Sequence, residues 1–419
     1  MGQGKQSIRI ADFGRVVTGK TPPTKQPDLY GSCYPFITPT DINDDSRYTE
    51  PARFISEKGR EKHASSMLPP NTVCFTCIAS IGKICMTSQL SLTNQQINSV
   101  VVDHTRYNPR YVFYLLRTET ERIKAVASGV ATPIINKTSF SELAIEVHPL
   151  PTQRKIAAIL SAYDDLIENN LRRIKILEEM AQNLYHEWFV KFRFPGHQHV
   201  RFVDSSLGRI PEGWEVGTLG AVSYVIPGYA FKSKDWADTG IPVIKIKNIR
   251  PGNLIDTDQV DHVPEAILSS THTKFWLNSG DILIAMTGAT AGKVGKLRSK
   301  KSMLLNQRVA KIEPKQNFKE LVWCAVSSPD AEDRFYALAD GAAQPNMSGS
   351  QIENSELIIP KTDLVQQFND YVSPFINDVD NMILRNQNLR RTRDLLLPKL
   401  ISGEVDVSEL DINIPEEAV

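Results

Sequence analysis

Two long stretches of the chain place their apolar residues at alternating steps of four and three. In the first, Ile156, Leu160, Tyr163, Ile167, Ile174, Leu177, Ala181, Leu184 and Trp188 follow this spacing, interrupted by one amide, Asn170. In the second, Phe368, Val372, Phe375, Val379, Met382, Leu389, Leu396 and Leu400 repeat it, with Asn386 and Arg393 as polar exceptions. A mean step of 3.5 residues is the narrow seam of a coiled coil rather than the broader stripe of a helix lying on a core. The spacing predicts helices from Thr152 to about Phe192 and from about Thr362 to Leu397. Pro374 is expected to kink or start the second of them.

The segments between read differently. Short β-branched runs bounded by Gly and Pro turns include 72–79 (TVCFTCIA) and 144–148 (AIEVH), then 242–247 (PVIKIK), 281–286 (DILIAM) and 356–360 (ELIIP). They predict irregular β-rich globular parts. The order globular, helix, globular, helix is one plan written twice. Asn94-Gln95 recurs as Asn306-Gln307, and Ala127-x-Gly129-x-x-x-Pro133 as Ala339-x-Gly341-x-x-x-Pro345, both 212 residues on. Arg173 and Leu177 map onto Arg385 and Leu389 at the same offset, while Gly82-Lys83 matches Gly292-Lys293 at 210 and 35–43 matches 242–250 at 207. The organisation read from this is an α+β chain. Its parts are a first globular domain (1–150), a first long helix (151–192), a linker (193–213), a second globular domain (214–360), a second long helix (361–403) and an acidic tail (404–419).

A pseudo-twofold axis relating the copies makes the helices antiparallel and their pairing symmetric. A crossing centred on Arg172 and Leu384 sets Asn170 against Asn386, Ile174 against Met382, Ala181 against Phe375 and Ile167 against Leu389. Two facing amides satisfy each other and fix the register. Ile156, Leu177 and Val379 complete the expected pairing surface. A helix of ~35 residues spans roughly 50 Å, so the pair is expected to act as a spacer between the two globular parts.

Composition narrows the class. With 419 residues, 41% hydrophobic and 23% charged, the chain fits two or three globular domains. No apolar run reaches bilayer-spanning length and residues 1–5 begin no signal-peptide core, so a cytoplasmic location is expected. Five scattered cysteines form no disulfide framework. Formal net charge is zero, yet the tail holds six acids and no base, and residues 227–315 carry 14 Lys/Arg against 8 Asp/Glu. Lys293, Lys296, Arg298, Lys300 and Lys301 form an acid-free basic run, a solvated loop or a phosphate-contacting one.

Catalytic patterns fail on inspection. His186-Glu187-Trp188-Phe189-Val190 lacks the second His of a zinc-peptidase pair. Cys74-x-x-Cys77 with Cys85 has Ile284, Thr287 and Gly295 at the repeat positions, which favours structural thiols over zinc. Residues 288–294 fall one short of a phosphate-binding loop, and Asn108-Pro109-Arg110-Tyr111 departs from the adenine-methyltransferase motif at its third residue.

Two recognition-sized modules, paired helices and no active site resemble the specificity subunit of type I restriction-modification enzymes. Residues 395–406 (LLLPKLISGEVD) resemble that family's C-terminal signature. Trp188–Phe192 with Phe194-Pro195-Gly196 resembles the end of its central helix, and Ile210-Pro211-Glu212-Gly213-Trp214 the start of its second recognition domain. Copy one starts at 7–10 without the Pro-x-Gly-Trp element. The resemblance implies a non-catalytic reader of double-stranded DNA with two target-recognition domains, each reading half of a bipartite asymmetric site. It implies two adenine-N6 methyltransferase subunits docked along the helices, with motor-endonuclease subunits joining them. AdoMet, ATP and Mg would then belong to those partners, none to this chain.

Base reading needs Arg, Lys and amide side chains on loops that enter the major groove. Equivalent loops in the two copies are the candidates. The first pairs Thr18 and Lys20 with Tyr229 and Lys232; the second pairs Thr38, Thr40 and Asn43 with Lys245, Lys247 and Asn248. The third pairs Ser80 and Lys83 with Thr290 and Lys293, where an ordinary hairpin turn at Gly82 and Gly292 is the competing reading. Asn94-Gln95 and Asn306-Gln307 complete the set, as DNA-facing residues or as pins for a neighbouring strand. Lys296, Arg298 and Lys300 extend the third loop of copy two, which is expected to supply more of the sequence-blind affinity.

Overall fold

The computed structural model describes residues 4–43, 46–127, 133–339 and 345–414. Gly129 and Gly341 of the repeated pattern, and Glu416 and Glu417 of the tail, lie outside the described residues. The chain divides into two compact units, Met1–Asn170 with Asn386–Val419, and Leu171–Arg385. Each unit holds one β-rich part and a segment of both long helices, so the helices are not domains in themselves.

In the first unit a four-stranded sheet runs Gly14–Thr18, Ile97–Val102, Val73–Thr76, Ile84–Met86, all neighbours antiparallel. A second sheet joins Tyr30–Gly31, Phe54–Ile55, Tyr34–Ile37 and Leu92–Thr93, the last two parallel. Gln6–Arg9 pairs with Ala144–Val147, which makes the opening residues of copy one a strand. The second unit repeats these pairings. Ser223–Pro227 lies beside Val309–Pro314, with Pro227 opposite Ala310 as Thr18 is opposite Asn98. The parallel pair Phe36↔Leu92 recurs as Val243↔Leu304, and the opening strand recurs as Glu215–Thr218 on Glu356–Ile359.

The residues read as a linker are packed structure. Phe202–Ser205 and Gly208–Pro211 form a hairpin, and Phe194, Ile210 and Trp214 enter the core of the second unit beside Trp188, Phe189 and Phe368. Their apolar area outweighs the freedom that the Pro and Gly residues suggested. Likewise Val407 of the acidic tail is buried with Leu397, Leu400 and Ile401 in the core of the first unit.

The first long helix is α-helical over Leu150–Tyr185 and continues as one wider π-type turn, His186–Val190; the second is Thr362–Ser402. It passes through Pro374, where a kink or start was expected. Val372 and Ile376 flank the proline and are both buried in the core, and burying this face offsets the single backbone hydrogen bond that proline removes. Within the first unit the helix segments run antiparallel: Asp164 meets Arg393, and Asn170 meets Asn386. Asn170 Nδ2 donates to Asn386 Oδ1 at 2.8 Å, and Asn386 Nδ2 donates to the Ile167 carbonyl at 3.4 Å. Ile156 and Leu160 pack with Leu397 and Leu400. In the second unit Ile174, Val379 and Met382 form one cluster, with Leu177 and Ile383 against it.

Arg393, the cation on an otherwise apolar seam, is 2% exposed and ion-paired with Asp164. Asp164 also accepts from Tyr114 Oη and lies 4.0 Å from Arg47. Burial opposes the charge on Arg393, but Asp164 outweighs it and holds the guanidinium above its ordinary range.

Asn386→Leu should leave the Asn170 amide and the Ile167 carbonyl without a partner, at a cost of about 1–3 kcal/mol. Adding Asn170→Leu should recover part of that loss, as read from urea denaturation midpoints of the full chain.

Candidate nucleic-acid interface

In each unit three loops are stitched at one edge by equivalent backbone bonds. Gly19 N donates to Ile97 O (3.1 Å), Lys20 N to Thr93 O (2.8 Å) and Asn94 N to Ile37 O (3.1 Å). In the second unit Gly228 N donates to Val309 O (2.9 Å), Tyr229 N to Leu305 O (2.9 Å) and Asn306 N to Ile244 O (3.0 Å). The approach is too close for a side chain at either glycine: a Cβ on Gly19 would lie 2.2 Å from the Asn94 carbonyl oxygen, and one on Gly228 2.2 Å from that of Asn306. The strand after Asn94-Gln95 thus locks the first loop to the second. In the first unit Lys83 Nζ adds the third loop, donating to the carbonyls of Pro39 (2.8 Å) and Ile42 (3.0 Å).

That scaffold sorts the candidate residues. Lys20, Thr40, Asn43, Ser80, Gln95, Lys232, Lys300 and Gln307 are exposed, and Lys301 with them. Thr21 Oγ1 donates to Gln95 Oε1, so the first loop and the Asn-Gln turn present one polar surface. Thr18, Tyr229, Thr290 and Lys293 are half-buried; Thr18 Oγ1 donates to Asn98, and Lys293 lies 3.9 Å from Glu332. Lys245 and Lys247 both pair with Asp261, whose carboxyl they hold below its ordinary range.

Six expected contact residues turn inward instead. Thr38 donates through its backbone N and its hydroxyl to Asp41 Oδ2, both at 2.7 Å, closing a turn. Asn94 caps its own turn by accepting from Gln96 N at 3.1 Å, and buried Asn306 reaches the Tyr229 carbonyl. Asn248, 1% exposed, donates to the carbonyls of Asp256 and Gln259. Lys296 and Arg298 are each 3% exposed and bind Asp380 on the second long helix at 2.6 and 2.7 Å. The basic run is therefore not one solvated loop, and only Lys300 and Lys301 of its five cations stand fully in solvent.

Gly82 and Gly292 serve a hairpin turn. Both have positive φ, +97° and +86°, and a Cβ on Gly292 would lie 2.6 Å from the Glu332 carbonyl oxygen. Asn108-Pro109-Arg110-Tyr111 is a helix start: Asn108 Oδ1 accepts from Tyr111 N and Pro109 takes the first helical position. Cys74 and Cys85 face each other across antiparallel strands as buried free thiols, and Trp188 is core. Among the described residues no helix is long and apolar enough to cross a membrane.

One surface escaped the sequence reading. The turn Ser270–Phe275 forms, with Tyr229, a shallow depression edged by Thr271, Thr273 and Lys274. Tyr229 rests on His272 and Phe275, with ring centroids 4.4 and 5.4 Å apart. The hydroxyl-rich run SSTHTK was the available signal.

The fold and these loops are shared with proteins of known kind. A solved specificity subunit from M. genitalium superposes over 95% of this chain and 96% of its own with a TM-score of 0.59 at 17% identity, a likeness of fold. Two type I restriction enzyme specificity subunits of Methanocaldococcus jannaschii align along nearly the whole chain. MjaIX is 29% identical over 96% of this chain and 94% of its own, and MjaVIII 23% identical over 96% and 93%. A family model described as the type I restriction modification DNA specificity domain matches twice, at residues 3–179 and 211–389. The two matches fall on the two copies of the repeat, and the chain belongs to the type I restriction-modification DNA specificity family.

Proposed function

We propose that the chain reads a bipartite, asymmetric sequence in double-stranded DNA, one half-site by each recognition domain. The observation that carries this reading is the pair of equivalent stitched loop edges with different tips. A common backbone presents Lys20, Thr21 and Gln95 in one copy and Tyr229, Lys232 and Gln307 in the other. Identical scaffolds bearing different donors and acceptors suit two half-sites of unlike sequence. The exposed cations and hydroxyls contact phosphates, and the amides address base edges.

Chemistry in this reading belongs to partners. Two adenine-N6 methyltransferase subunits dock along the long helices, where Leu166, Ile176 and Met180 are exposed apolar residues. Motor-endonuclease subunits complete the assembly, and AdoMet, ATP and Mg are bound by these subunits. A cytoplasmic location accords with DNA as the target.

The test is co-expression with the cognate methyltransferase subunit, followed by genome-wide mapping of methylated adenines. The expected result is a single two-part motif with a fixed gap and one modified adenine in each half. Methyl transfer by the purified chain alone, or modification without a bipartite motif, refutes the reading.

Replacing Lys300 and Lys301 by alanine should flatten the log–log salt dependence of DNA binding by up to roughly 0.9 per lost phosphate contact. Lys296→Ala should leave that slope unchanged and lower the unfolding midpoint, because it leaves Asp380 with one cation fewer. Lys20→Ala with Gln95→Ala should relax selection at one half-site by about 1–3 kcal/mol per lost base contact. The other half-site should keep its sequence in the mapped motif.

A further inference from the structure

Glu168 on the first long helix and Asp380 on the second occupy the same position of the repeat, 212 residues apart. Each receives a buried cation from the β-rich part of its own unit. In the first unit Arg47, 2% exposed, donates through Nε to Glu168 Oε1 at 3.1 Å and through Nη2 to Oε2 at 2.9 Å; its backbone N also reaches Oε1 at 3.1 Å. In the second, Lys296 and Arg298 close on the two oxygens of Asp380.

The cations come from different places in the two copies. Met86 N donates to the Arg47 carbonyl at 2.7 Å, and Lys296 N donates to the Asn253 carbonyl at 3.2 Å, so Lys296 stands where copy one has Met86 and Asn253 where it has Arg47. The cation has changed strand while the helix carboxylate has kept its place. A buried cation left without its carboxylate costs several kcal/mol, whereas an exposed pair is worth about 1 kcal/mol or less. Each β-rich part therefore has one low-energy seating on its helices, the one that delivers the cation to the carboxylate. Charge-assisted bonds of this kind also fix direction.

We propose that Glu168 and Asp380 are positioning residues, holding each recognition domain at a set angle to its own helix segments and thereby fixing the number of unread base pairs the protein accepts. This rests on the two-half-site reading above. One added base pair moves a half-site about 3.4 Å along the duplex and about a tenth of a turn around it. A domain held rigidly cannot follow both displacements, and a loosened one can.

The test compares full-length wild type with Asp380→Asn and with a triple variant, Lys296→Met, Arg298→Met and Asp380→Leu, which removes the directed bonds without leaving a charge stranded. Each is co-expressed with the cognate methyltransferase subunit and supplied with sites of wild-type spacing and of one base pair more or less. The expected result is an unchanged pair of half-site sequences, with the preference for the native spacing reduced at least tenfold. Destabilisation alone lowers modification at all spacings alike and leaves the ratio untouched. An unchanged ratio in a folded variant overturns the proposal, as does failure of both variants to fold, which assigns the cluster to stability alone. Glu168→Gln should act in the same way through the first unit.

A DNA-free measurement separates this proposal from the reading beneath it. Spin labels at Gln307 and Asn377, both exposed and both in the second unit, are attached in a Cys33→Ser background; the remaining four cysteines are buried. The distance distribution should broaden in the triple variant. If wild type directs no bipartite methylation, the two-half-site reading fails while a broadened distribution still upholds the positioning role; an unbroadened one overturns it.

Discussion

Charged side chains removed from water need partners, and in this chain those partners lie on the long helices. Arg47 and Arg393 converge on Asp164 in the first unit, where Tyr114 supplies a further hydroxyl. Lys296 and Arg298 converge on Asp380 in the second, beneath the Trp323 ring at 5.7 and 5.9 Å. Burial pulls the Lys296 ammonium below its ordinary range even with Asp380 beside it, which measures how dry the site is. Such a cluster adds little net stability over well-packed apolar residues. It restricts instead the ways in which strands, loops and helices can come together.

The two copies meet this constraint with different chemistry. The repeat equivalents of Tyr114, Asp164 and Arg393 are Val326, Ile376 and Ala181, all buried and apolar. Where the first unit has a hydrogen-bonded ionic network, the second has a hydrophobic core joined to Trp188, Phe189 and Phe368. The backbone plan survives the exchange because the register of strands and helices is set elsewhere, by the alternation of the sheets and by the seam. The exchange also accounts for Arg393, which interrupts the apolar spacing in the sequence and finds its reason only in Asp164.

How much was legible follows from the range of the forces involved. The repeat could be read because an offset of 212 preserves strand register, and the pairings Thr18↔Asn98 and Pro227↔Ala310 express it directly. The facing amides Asn170 and Asn386 followed from seam spacing and pseudo-symmetry, both of which are periodic properties of the chain. The fate of the basic run could not be read this way. Lys296 and Arg298 are separated from Asp380 by more than 80 residues, and local charge density carries no information about so distant a partner. Thr38, Asn94 and Asn248 show the complementary limit: short polar side chains in Gly- and Pro-rich loops suit base contacts in composition, but equally suit closing their own turns. Side chains that satisfy the backbone are then lost to a ligand.

What remains exposed after that sorting has a consequence for how affinity and selectivity divide. In the first unit Lys20 projects from a loop stitched beside Gln95, so a cation and an amide share one edge. In the second unit the residue equivalent to Lys20 is Tyr229, packed among His272, Phe275 and Phe231, with Lys274 at the rim of the depression. An aromatic face offers contact area with little conformational entropy to lose, whereas a lysine offers charge at a larger entropic cost. The two edges are thus built to draw on different terms, one on phosphate attraction and directed hydrogen bonds, the other on packing supported by peripheral charge. Because salt screens the first term and hardly touches the second, the two recognition domains should differ in how steeply their contacts weaken with ionic strength, even though their loops are held by the same backbone bonds.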